Sequence, residues 1–68
     1  MKIHVNAARV NTGMSQEELA RLMGVSRQTV ISWENDKREM STPQLFMFCR
    51  ITGFSEDDII LPKKSTKS

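Results

Sequence analysis

The sequence predicts an all-α chain, a compact domain of five short helices. Three observations carry that expectation. Polar residues suited to capping (Ser15, Ser26, Thr42 and Ser55) each open a stretch with helical spacing of apolar residues. Gly13, Gly24 and Gly53 stand where three of those stretches must stop. No period-two alternation, internal repeat or long linker interrupts the pattern, so residues 1–61 read as one domain without strands.

Each element follows from local chemistry. Residues 5–11 (VNAARVN) suit a first helix, with Val5 and Ala8 inward and Ala7 a further candidate. Gly13 ends it and allows a left-handed turn. Ser15-Gln16-Glu17-Glu18 is a capping box that opens the second helix, and Met14 and Leu19 are spaced as a hydrophobic staple. Leu19, Leu22 and Met23 keep the i, i+3, i+4 spacing of a buried face. Gly24 breaks this helix. Ser26 caps the third, Val25 and Val30 repeat the staple, and Val30 and Trp33 face the core.

A polar loop runs from Asn35 to Ser41. Thr42 then serves as N-cap with Pro43 at the first helical position, and the fourth helix runs to about Thr52 before Gly53. Phe48, Leu45 and Cys49 take its core side. Ser55 opens a short fifth helix, with Phe54 and Ile59 as a third staple, and Pro62 ends it. Residues 62–68 (PKKSTKS) read as a disordered basic tail.

Composition narrows the function classes. A chain of 68 residues offers little bulk for a pocket and shows no nucleophile–base pair, so an enzyme with a small-molecule substrate is not expected. His4 and Cys49 stand far apart, which argues against a metal site or other cofactor. One cysteine cannot form an internal disulfide and no signal peptide is visible, which together suit a reducing cytoplasm. The longest apolar run, Leu45 to Cys49, is too short to cross a membrane. The formal charge is +2, yet residues 1–61 hold seven Lys/Arg against eight Asp/Glu, a net of −1. Nucleic-acid binding by such a body requires charges segregated by face.

The second and third helices, joined at Gly24, have the layout of a helix-turn-helix. Such a unit presents its second helix at an angle that fits a DNA groove. The outward face of that helix is Arg27, Gln28, Ile31 and Ser32. Arg and Gln at a helix N-terminus suit base-edge reading, although every exposed helix also needs polar residues.

The residues Arg9…Gly13-Met14-Ser15-Gln16-Glu17-Glu18-Leu19-Ala20…Gly24-Val25-Ser26…Thr29-Val30…Trp33-Glu34-Asn35 closely resemble the Cro and phage-repressor (XRE-type) helix-turn-helix family. The resemblance runs from about Ala7 to Leu61 and implies a five-helix lambda-repressor-like DNA-binding fold. It implies a set of roles. Gln16 contacts a phosphate through its side chain and the helix N-terminal amides. Arg27 and Gln28 read base edges, Ser32 sits at a further base-contacting position, and Ile31 meets a thymine methyl. Thr29 and Asn35 lie near phosphates, with Ser26, Lys37 and Arg38 in the same contact set. Arg9 and Glu34 form a buried ion pair between the first helix and the end of the third.

Three positions depart from the family pattern. Asp36 stands where Gly is usual and adds a negative charge beside the phosphate path. Met40 replaces a Pro before the fourth helix. Phe46-Met47-Phe48 replaces a stretch that normally carries a charge. The fourth helix is thus apolar nearly all round, which marks Phe46, Met47 and Ile51, extended by Ile59 and Ile60, as a candidate interface. A somewhat apolar free surface is the plainer reading.

Two functions compete. One is a small transcriptional regulator of a phage lysis/lysogeny switch, binding operator DNA as a homodimer in the cytoplasm of a bacterial host. The other is an antirepressor that binds a phage repressor protein and blocks its DNA contacts. A toxin-binding partner is a third, weaker option. The basic tail either grips DNA backbone or merely solubilises.

Overall fold

The computed structural model describes residues 2–63. In chain order the elements are β1 (Ile3–His4), α1 (Val5–Asn11), α2 (Gln16–Met23), α3 (Arg27–Glu34), α4 (Thr42–Thr52), one 3-10 turn (Glu56–Asp58) and β2 (Ile59–Ile60). The helices surround one core of Val5, Ala8, Leu19, Ala20, Met23, Val30, Trp33, Met40, Phe48 and Ile59, in which Trp33 and Phe48 are the largest fully buried side chains.

Local signals set most boundaries. At α2 the Ser15 Oγ accepts from the Glu18 N–H at 3.0 Å, and Glu18 Oε1 accepts from the Ser15 N–H at 3.3 Å. The Ser26 Oγ accepts from the Thr29 N–H at 3.2 Å and so caps α3. The C-termini of α1, α2 and α3 all close with a left-handed residue, at Gly13, Gly24 and Asp36. At α3 the Asp36 N–H reaches the Trp33 carbonyl at 3.2 Å and the Lys37 N–H reaches the Ser32 carbonyl at 2.8 Å. That pairing satisfies two of the carbonyls a helix end leaves open. Asp36 adopts φ 57, one of the few non-glycine types that tolerates this region.

Several expectations are corrected. There are four α-helices, not five. After Ser55 the Asp58 N–H goes to the Ser55 carbonyl at 2.9 Å, and no side-chain cap forms. An Asp side chain is too short to reach back to the N-cap as Glu18 does, so the turn stays three residues long. The next two residues are β-branched and go extended. They pair in parallel with the chain's start, Ile3 opposite Ile59 and His4 opposite Ile60, a two-stranded ladder with no counterpart in the sequence pattern.

That pairing turns Ile59 inward at 4% exposure, so it belongs to the core and not to an outer interface; Ile60 is half-buried. Helix α4 is capped by Ser41 rather than Thr42. The Ser41 Oγ accepts from the Gln44 N–H at 3.3 Å and the Gln44 Oε1 accepts from the Ser41 N–H at 2.9 Å. Pro43 moves to the second helical position, where its missing N–H is equally harmless.

Burial also differs at single residues. Leu22 is 49% exposed rather than in the core. At ~100° per residue, Leu19, Ala20 and Met23 centre the buried face well away from it. Ala7 is exposed, Met40 in the polar loop is buried, and Leu45 and Cys49 are only half-buried. Pro62 is buried and the Lys63 N–H donates to Asp36 Oδ1 at 3.3 Å, so the tail begins inside the fold. Residues 64–68 lie outside the described residues.

Candidate nucleic-acid interface

The N-terminal turn of α3 puts Arg27 and Gln28 in solvent, with Thr29, Ile31 and Ser32 partly covered beside them. Val30 and Trp33, fully buried, fix the helix about its axis and so determine which side chains point out. The Ser26 hydroxyl is used in the cap and also lies 3.0 Å from Thr29 Oγ1. Asn35, Lys37 and Arg38 are exposed where α3 gives way to the loop. Helix positions and loop cations thus share one end of the molecule with the α3 face.

A relay of polar side chains runs beneath this face. Arg9 donates from Nε to Glu34 Oε2 at 2.6 Å and from Nη2 to Glu34 Oε1 at 3.3 Å, and its Nη1 reaches the Met14 carbonyl at 2.7 Å. The two side chains are 13% and 8% exposed, so this is a largely desolvated pair whose remaining valences are filled. Gln16 Nε2 also donates to Glu34 Oε1, at 2.9 Å. Its Oε1 in turn accepts a long bond from Arg27 Nη2 at 3.5 Å. The chain of contacts joins α1, the end of α3, the start of α2 and the start of α3.

This geometry changes the reading of Gln16. Its amide nitrogen is held by Glu34, and its outward atom is an acceptor, which no phosphate oxygen can use. The donors left at the start of α2 are the backbone N–H groups of Gln16 and Glu17, because the capping box takes the Glu18 amide. Sequence spacing could not reveal the relay, since its bonds join residues 18 and 25 positions apart.

A second surface lies on α4. Leu22, Pro43, Phe46, Met47, Arg50 and Ile51 line an open groove of about 510 Å³. Phe46 and Met47 are 48% and 46% exposed, and Arg50 is the one cation on the rim. Of the expected interface residues, the fold brings Phe46, Met47 and Ile51 together and separates Ile59 and Ile60 from them. Leu22 joins the patch from α2; its signal was an apolar residue opposite Ala20 on a short helix. Cys49 is half-buried, and burial, then the Glu56 and Asp58 carboxylates, pushes its thiol pKa up.

Among the described residues no group of His, Cys, Asp and Glu is arranged to hold a metal ion, and no helix is long and apolar enough to cross a membrane.

Comparison with known proteins agrees with this architecture. A family model described as Helix-turn-helix matches residues 5–59. An uncharacterized HTH-type transcriptional regulator of Methanocaldococcus jannaschii is 34% identical over 61 residues, covering 90% of this chain and 92% of its own. Another, from Archaeoglobus fulgidus, is 30% identical over 61 residues, covering 90% of this chain and 87% of its own. No solved structure matches the chain significantly.

Proposed function

The chain belongs to the helix-turn-helix family, and on that premise we propose that it is a small transcriptional regulator that reads operator DNA with α3 in the major groove. The observation that carries this is the outward face of α3, where Arg27 and Gln28 stand exposed on a helix capped, and fixed in rotation, by the core.

In this reading Arg27 meets the O6/N7 edge of guanine and Gln28 the N6/N7 edge of adenine. Ile31 packs on a thymine methyl and Ser32 makes a short contact beside it. Thr29, Asn35, Lys37 and Arg38 bind phosphates, as does the start of α2 through its amides, with Ser26 holding the turn between them. Gln16 acts through Arg27: an arginine already tethered loses less freedom on binding. Two copies joined through the α4 face would present two α3 helices about one duplex turn, ~34 Å, apart. The names of the two archaeal relatives support regulation of transcription. The Cro-like motif supports the narrower setting of a phage lysis/lysogeny switch in a bacterial cytoplasm.

A second reading, an antirepressor that covers the DNA-binding face of a repressor protein, is favoured by the apolar groove on α4 and by the −1 charge of residues 1–61. Selection from a random duplex pool separates the two. DNA reading is expected to enrich a symmetric site, and Arg27→Ala or Gln28→Ala to cost about 1–3 kcal/mol and relax one position per half-site. A pool with no enriched sequence, together with capture of a repressor encoded beside the gene, would replace the first reading by the second.

A further inference from the structure

The charges of the chain are divided by segment. The Asn35–Ser41 loop balances Lys37 and Arg38 against Asp36 and Glu39. The stretch after Pro62 carries Lys63, Lys64 and Lys67 with no acid. The fold joins these two segments. β2 lies beside β1, Pro62 is buried, and the Lys63 N–H is held by Asp36 Oδ1 at 3.3 Å. Asp36 is itself fixed, because its left-handed backbone closes α3. The last residues therefore leave the fold at the C-terminal end of the helix whose outward face carries Gln28, Ile31 and Ser32.

We propose that residues 63–68 are a basic arm that runs from Asp36 onto the phosphate backbone of the duplex, beside α3. This rests on the DNA-binding reading above. Asp36 roots the arm, so its carboxylate serves a backbone N–H instead of facing phosphate alone. Five residues beyond Lys63 reach at most ~17 Å, about half a duplex turn, which limits the arm to a few phosphates. The arm also answers the charge count: a body of net −1 gains three cations at the end where α3 meets its loop.

The test is the salt dependence of binding to a random-sequence duplex, which reads backbone contacts without knowledge of the operator. Each phosphate contact contributes a slope of about 0.9 in log K against log salt. The full chain carrying Lys64→Ala and Lys67→Ala is expected to bind with a slope smaller by about 1.8. Asp36→Gly keeps the left-handed turn and removes the root; it is expected to lower both slope and affinity. A merely repulsive acid predicts the opposite, tighter binding. If the parent chain binds the duplex and the double-lysine variant keeps the parent slope, the arm is wrong and the DNA reading stands. If the parent chain itself shows no salt-dependent binding, both fall.

Discussion

The outward faces of α3 and α4 are built on opposite principles. The α3 face is polar and directional: Arg27 is tied through Gln16 to the Arg9–Glu34 pair, and its helix is capped by Ser26. The α4 face is apolar and shape-based, with Leu22, Phe46 and Met47 each about half exposed around an open groove. Directional groups discriminate between partners, because a donor without its acceptor is costly once buried. Apolar area supplies affinity with little selectivity, and Met adapts to what it meets. One 68-residue chain thus carries a surface suited to reading and a surface suited to holding.

The sharpest way to break the contrast is Glu34→Ala. It strands the Arg9 guanidinium and frees both Gln16 and Arg27. A loss of about 3–5 kcal/mol is expected in a urea titration, close to everything a domain of this size has. A loss under about 1 kcal/mol would mean that the relay is decorative. Met47→Asp tests the other face. The groove should lose any self-association, read by sedimentation, while stability changes by no more than about 0.5 kcal/mol. Unchanged association would move the contact elsewhere.

The smallest effect concerns Cys49 on the flank of α4. Burial raises its pKa first, with Glu56 and Asp58 adding to the shift, so the fold favours the neutral thiol. That contribution is complete below the unfolded pKa and is lost as pH rises through the higher folded value. Alkylation at about pH 8 should accordingly be slower in the folded chain than in urea. Equal rates would contradict the burial.

Capping chemistry made much of this fold legible. Ser15 with Glu18, Ser26, and the left-handed turns at Gly24 and Asp36 are short-range signals, and the chain obeys them. The cap of α4 was misread by one residue because Ser41 and Thr42 are adjacent hydroxyls and proline fits either of two first-turn positions. The β1–β2 ladder was not legible. Two residues cannot show a period, and a register slip of one would turn Ile59 outward. Met40 is a similar case, a lone apolar residue in a polar loop that becomes core only through packing. Of the candidate contacts, the exposure of Arg27 and Gln28 followed from helix geometry. The Arg9–Glu34 pair came only from family resemblance, and the role of Gln16 needed coordinates.

The ladder between Ile3 and Ile59 also imposes an order on synthesis. The core lacks a side chain until the ribosome has added Ile59, and the first strand has no partner before then. A nascent chain that has made α1 to α4 exposes the seat of Ile59 until the end of translation, so closure of the domain waits for the residues made last.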